Sequence, residues 1–310
     1  MREGTDLVAD QAERFAAIDP LLPAITEPPD GETLVATLPG GSRVTGVLTA
    51  TVTDPDAPEA LWSALEVWQL TPLIGSHGRD GMDAVLRACR ARLDRETPGE
   101  DSSCVVAWPS RDAEATRALL DHGLVPLSAL GVRTDPAPQA PVRDDVTVRD
   151  ADVGDIDTIL RLERVEIEYS AQVGSLRLRP GTAERDARRE ALRQRLGSGA
   201  TLLLAELGGE PAGFAESGWT DVTDGTWAAT VLPPGRWGHI ASTAVAPRLR
   251  GRGVGRTLVA AVHERLRQGG VRGSYLYYNP PNPLASVFWH RQGYRPLWTV
   301  WEARPASRLR

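Results

Sequence analysis

The chain has 310 residues, 41% hydrophobic and 25% charged, which is room for two folded domains and too apolar for a disordered or fibrous protein. Its basic residues are all arginine and unevenly spread: residues 1–140 hold 11 against 22 acidic residues (net −11), residues 141–310 hold 24 against 19 (net +5). A polyanionic ligand is therefore expected in the second part, while the acidic overall balance of −6 argues against broad nucleic-acid binding. No apolar run reaches the ~20 residues that span a bilayer, and the opening MREGTDLVADQAERF lacks the apolar core of a signal peptide. Two cysteines, Cys89 and Cys104, form no CxxC, which argues against a disulfide framework or a zinc site and makes a cytoplasmic setting the expectation.

In chain order, Leu65–Pro72 reads as strand, Gly78–Leu93 as helix, and Trp108–Leu127 as the end of a strand followed by a helix. Thr134–Pro141, with three prolines in eight residues, reads as an extended linker, because proline fixes φ and restricts the residue before it. After it, Val146–Arg149 suits a strand and Asp152–Tyr169 carries apolar residues at helical spacing. Glu184–Leu196 is a charged helix stopped by Gly197, and TLLLAEL (Thr201–Leu207), Gly208-Gly209 and PAGFAESGW make a hairpin. A Gly/Pro-rich excursion, Asp221–Gly238, leads into the strand HIASTAV. Helix Gly253–Arg267, strand Ser274–Tyr278, helix Pro283–Gln292 and strand Arg295–Glu302 complete the chain. Strands first and helical crossovers later predict an α+β fold with mixed sheets. The expected boundaries are residues 1–133, a linker over 134–141, and 142–310.

The stretch from Val245 to Leu258, VAPRLRGRGVGRTL, ends a strand, passes Gly251, Gly253 and Gly255, and opens an amphipathic helix. Glycines permit close backbone approach, and the unsatisfied amides of a helix start favour a phosphate or pyrophosphate. Arg250, Arg252 and Arg256 add positive charge there. No Gly-Lys-Ser/Thr follows, so this is not a P-loop.

The pattern V-x-P-x-x-R-G-x-G-V-G resembles the acyl-coenzyme-A signature of the GCN5-related N-acetyltransferase (GNAT) superfamily. Asn282-Pro-Leu-Ala-Ser286-Val-Phe-Trp289-His-Arg-Gln-Gly293-Tyr294 resembles its second motif, in the right order and separation. The resemblance covers residues 142–303 and implies acetyl-CoA as co-substrate, with no metal, and a small-molecule amine as acceptor. Neither a nucleic acid nor a membrane is implied as partner, and a homodimer is allowed. It further implies that the amides of Arg250, Gly251, Arg252, Gly253, Val254, Gly255 and Arg256 hold the pyrophosphate. Main-chain groups of Ala244 and Val245 would pair with the pantetheine arm, Asn282 would hydrogen-bond the coenzyme, and Ser286 lies one helical turn further on.

In one branch of the superfamily a glutamate six residues before the valine matching Val245 is the general base. That position is His239, expected just before the strand, and histidine's ordinary pKa near 6.5 suits the role. Glu216 is the reserve candidate. Where many members carry a tyrosine as general acid this chain has Trp289, whose indole is a very poor proton donor; Tyr278 or a water could substitute. Glu163, Glu166 and Glu168 form either a solvated helix face or an acceptor wall. Trp219, Trp227 and Trp237 either cap the acceptor or pack against the other domain.

The first part repeats the pattern: Trp108–Leu127 aligns without gaps on Tyr278–Leu297, and Gly78–Leu93 on Gly251–Leu266. Gly253, Gly255 and Arg256 are replaced by Asp80, Met82 and Asp83, so a pyrophosphate would meet two carboxylates. Leu65–Pro72 set against Ile240–Pro247 puts Ala64 in the place of His239. The implied protein is a tandem GNAT chain with a degenerate first half, an arrangement similar to that of mycothiol synthase. The function expected is acetyl transfer by direct attack in a ternary complex. Acetylation of a sugar–cysteine conjugate, or a non-catalytic acyl-CoA sensor or scaffold, is the alternative.

Overall fold

The computed structural model describes residues 2–24, 27–134, 143–174, 176–178, 185–197 and 201–310. Its first half contains α1 (Arg2–Ile18), β1 (Glu32–Thr37), β2 (Arg43–Val52), β3 (Glu66–Leu73), α2 (Gly78–Glu96), β4 (Ser102–Pro109), α3 (Ala113–Asp121) and β5 (Val125–Arg133). The second contains β6 (Val146–Asp150), α4 (Ile156–Gln172), α5 (Arg185–Gly197), β7 (Thr201–Leu207), β8 (Glu210–Val222) and β9 (Gly235–Val245). It closes with α6 (Val254–Gln268), β10 (Gly273–Tyr278), α7 (Pro283–Arg291) and β11 (Arg295–Ala303). The expected linker falls almost wholly on residues 135–142, outside the described residues.

The fold is α+β and mixed, as the sequence predicts, but the two halves share one eleven-stranded sheet. Its order is β1-β2-β3-β4-β11-β5-β10-β9-β8-β7-β6. Only β3·β4 and β9·β10 are parallel pairs. The last strand of each half sits in the other half's part of the sheet: β11 pairs with β4, β5 pairs with β10, and the two exchanged strands pair with each other. Trp298, Trp301 and Leu297 of β11 are accordingly buried in one cluster with Trp108, Leu130 and α2's Leu86 and Leu93. Each buried tryptophan removes on the order of 200 Å² from water, so this seam is a core and not a contact between finished domains.

A shift of 170 residues relates the halves. It carries α3 onto α7 and β5 onto β11, end for end. It also carries the last paired residues of β3 and β4, Leu70 and Val106, onto those of β9 and β10, Ile240 and Leu276. By that pairing the counterpart of His239 is Gln69, not Ala64. The two strands also differ locally: β9 has a one-residue bulge at Ala241, between the pairs Ser217–Ile240 and Glu216–Ser242, whereas β3 pairs with β2 without interruption. A second difference is that β9 begins at Gly235, so His239 lies inside the strand. The excursion shrinks to a turn around a short 3-10 helix, Trp227–Thr230.

Candidate active site

Beyond Ile240 and Leu276, β9 and β10 part company, and β9 runs five residues further with β8 as its one strand partner among the described residues. This leaves the β10-facing main-chain groups of Ser242–Val245 open to an extended ligand, which a strand edge binds as it would another strand. The glycine loop closes the wide end of the wedge. Gly251 and Gly253 have φ of +76° and +84°, a region that glycine occupies without cost. The amides of Arg256 and Thr257 bond the Gly253 carbonyl, and those of Arg250 and Arg252 bond Pro247 and Leu249. Among the described residues, the amides of Gly251, Gly253, Val254 and Gly255 have no backbone acceptor. Gly253 is the N-cap of α6 and has no side chain to satisfy them. A helix start in this state favours an oxyanion.

The guanidinium groups are not equivalent. Arg250 turns inward, its Nε 3.4 Å from the Val245 carbonyl and its Cζ 5.4 Å from the Tyr169 ring centroid. Arg143, which the sequence reading passed over, brings its side chain against Gly253: a Cβ there would sit 2.8 Å from Arg143 Cδ. Asn282 is buried and caps α7, its Oδ1 accepting from the amides of Leu284 (3.0 Å) and Ala285 (3.2 Å). The Ser286 hydroxyl donates back to the Asn282 carbonyl at 2.9 Å. Trp289 is buried edge-on to Phe288 and Tyr294.

His239 lies on the sheet face opposite the one covered by α6. Its ring stacks on Tyr275, centroids 4.6 Å apart and planes 12° from parallel, and Tyr275 touches Tyr277 edge-on. Among the described residues neither imidazole nitrogen has a hydrogen-bond partner, and burial pushes the pKa below its ordinary value. The group is thus a neutral base at pH 7. Glu216 shares the face and burial raises its pKa, but its carboxylate is held by Arg195 at 2.7 Å. Tyr278 does not join this group: it packs on the α6/α7 face with Trp289 and Tyr294, edge-on to His290. The hydroxyls on His239's side belong to Tyr275, which meets Thr220 Oγ1 at 3.3 Å, and Tyr277, as strand alternation alone would have indicated once the register was known.

The three helix glutamates separate. Glu168 pairs with Arg164 in solvent, whereas Glu163 is half-buried near Arg188 and Arg195. Glu166 accepts from Ser170 at 2.8 Å, and burial, then Glu163, raises its pKa. Of the tryptophans, Trp237 is core, donating to the Pro233 carbonyl, and Trp219 lies against α6's C-terminal Gly269. Trp227 alone stands near the His239 row, 6.5 Å from Tyr277 and 64% exposed.

In the first half the matching wedge is filled by α1. Gln11 bonds the Pro72 carbonyl (3.0 Å) and the Ile74 amide (2.8 Å) at the end of β3. Arg14 holds Asp112, the counterpart of Asn282, at 2.7 and 2.9 Å, and Phe15 packs edge-on against Trp108 at the end of β4. Burial works against the Asp112 carboxylate, but hydrogen bonds from Arg14, Trp108 and the Ala115 amide outweigh it and lower its pKa. Met82 is fully buried, and Asp83 is tied to His122 (2.9 Å) and Arg87.

The model of the Acetyltransferase (GNAT) family matches residues 169–294, which span the wedge, the glycine loop and all of α7. The similarity to that family thus lies in the second half of the chain. A GCN5-related N-acetyltransferase of Sphaerobacter thermophilus, 15% identical, shares the fold over 98% of this chain and 92% of its own, with a TM-score of 0.55. A predicted acetyltransferase of Clostridium acetobutylicum solved with acetyl-CoA is 16% identical over 48% of this chain and 90% of its own, at 0.39. An aminoglycoside N-acetyltransferase solved with CoA is 19% identical over 51% and 93%, also at 0.39. No curated protein matches by sequence. Among the described residues no helix is long and apolar enough to cross a membrane, and no group of side chains could hold a metal ion.

Proposed function

We propose that the chain transfers an acetyl group from acetyl-CoA to the amine of a small molecule, at one site built on residues 142–310. Residues 1–133 would serve as a non-binding half, joined through the linker at 134–141. The observation that carries the reading is the open wedge between β9 and β10 beside four unsatisfied amides. The amides of Gly251, Gly253, Val254 and Gly255 would hold the pyrophosphate and the edge of Ala244 and Val245 the pantetheine arm, with Asn282 donating from α7. His239 accepts a proton at an imidazole nitrogen as the amine attacks the thioester carbonyl. The C–N bond forms, the C–S bond breaks, and the thiolate is protonated by water, since Trp289 offers no usable proton. Bringing both reactants together on one edge supplies much of the rate.

Mass-spectrometric screening of an amine panel against acetyl-CoA tests the reading. His239→Ala should lower turnover by ~10²–10⁴-fold with CoA affinity unchanged. Because burial depresses the His239 pKa, the rate should rise with pH through a value below 6.5 and be flat above it; that limb should vanish in the variant. Turnover within a few-fold of the parent assigns the base elsewhere. Trp289 favours a second reading, a non-catalytic acyl-CoA sensor, which predicts no acceptor-dependent release of CoA across the panel.

A further inference from the structure

Far from the wedge, a cavity of about 530 Å³ opens between α2, the turn entering β5 and the segment after β11; Arg90, Arg304, Arg308, Arg310, Glu302 and Gly123 line it. Four arginines thus line it beside one acidic residue, in a chain of net charge −6. Elsewhere the arginines are mostly spent on carboxylates: Arg14 on Asp112, Arg92 on Glu32 and Glu96, Arg149 on Asp155 and Glu206, Arg236 on Asp221. Around the cavity the pairing is looser: Arg304 is 3.4 Å from Glu302. Among the described residues Arg308 and Arg310 have no carboxylate partner, and Arg90 has only Asp94 at 3.8 Å. The same surplus recurs at the glycine loop, where Arg252 and Arg256 likewise lack one.

The arginines stand on a fixed frame. Ala306 and Leu309 are buried, the Ala306 amide bonds Ser102 Oγ at 3.0 Å, and the Arg310 amide bonds the His122 carbonyl at 2.9 Å. His122 also holds the Arg310 carbonyl through Nδ1 while its Nε2 is engaged by Asp83. Gly123 has φ +82°, and a Cβ there would come within 3.5 Å of the Arg310 side chain, so glycine lets the segment lie this close. At the floor, the buried Glu302 is 3.4 Å from Arg304, and burial raises its pKa.

From this we infer that the cavity is a second anion site, for a small molecule carrying two or more phosphate groups. The volume admits such a ligand, and guanidinium forks from separate elements match oxyanion edges bidentately. The site is independent of catalysis in the wedge.

Inorganic pyrophosphate is the probe. It is titrated calorimetrically into the full chain carrying one equivalent of CoA, at fixed ionic strength, with citrate as the carboxylate control. Pyrophosphate should bind once, and Arg308→Gln with Arg310→Gln should weaken it about 10-fold or more, the effect of losing charge-assisted hydrogen bonds. CoA affinity should stay unchanged, which also shows that the variant is folded. Absence of pyrophosphate binding, equal binding by the double variant, or tighter binding of citrate than of pyrophosphate would each overturn the inference.

Discussion

Gly253→Asp copies into the second half the residue that stands at Asp80 in the first, and its effects on folding and on binding can be worked out separately. At φ +84° a side chain costs about 1–2 kcal/mol, and the new Cβ displaces only the flexible Arg143 stem. Against this, an aspartate at the N-cap of α6 accepts an amide and meets the positive helix end, recovering about 1 kcal/mol. Folding stability should therefore change by less than ~1.5 kcal/mol. Binding is another matter. A carboxylate ~5 Å from a pyrophosphate charge costs about 3 kcal/mol at an effective dielectric of 20, and the amides it occupies are those the ligand needs. We expect CoA affinity to fall by more than ~100-fold, read by calorimetry beside urea unfolding of the same sample. A dissociation constant within three-fold of the parent, with the fold intact, would refute the assignment of this loop.

CoA should bind once per chain, and a calorimetric stoichiometry of two would mean that α1 leaves the first wedge in solution. Phe15→Ala should cost ~3–5 kcal/mol of unfolding free energy, measured in urea, because the ring packs between Trp108 and Trp298. His263 should make the protein acid-sensitive. Burial, then the charge of Arg133, pushes its pKa down to about 3, while Tyr294 bonds its Nε2 at 2.9 Å. The unfolded chain binds this proton more readily, so stability is full above pH 6.5 and falls by up to ~1.4 kcal/mol per pH unit as pH drops from there toward 3. His263→Gln should flatten that slope; an unchanged pH profile would place the acid lability elsewhere.

Element types were legible wherever periodicity and glycine punctuation agreed: β7, α7 and β11 fall within a residue or two of where the sequence puts them. The glycine loop was legible because glycine and arginine there have few other uses. What the sequence withheld is long-range. The alignment of β3 on β9 by apolar pattern and proline alone is off by five residues and selects Ala64 over Gln69, because only the pairing with the parallel neighbour strand fixes the register. Tyr277 was passed over for Tyr278 because adjacent strand residues face opposite ways and the sequence does not say which face carries the site. The closing of the first wedge by α1 depends on Gln11, Arg14 and Phe15 meeting partners about 60 to 100 residues away, and no local pattern announces that.

The crossing of β5 and β11 also bears on how the molecule can come apart and how it can evolve. Cleaving the chain between the halves would not release two particles, because each fragment would carry off a strand that completes the other's sheet. The cut protein should migrate as one species until denatured. Neither half could fold to its present form before the other had been made, so synthesis of β11 is the event that closes the whole sheet. A substitution in either half is then felt by the other, so the two are held under selection as one unit.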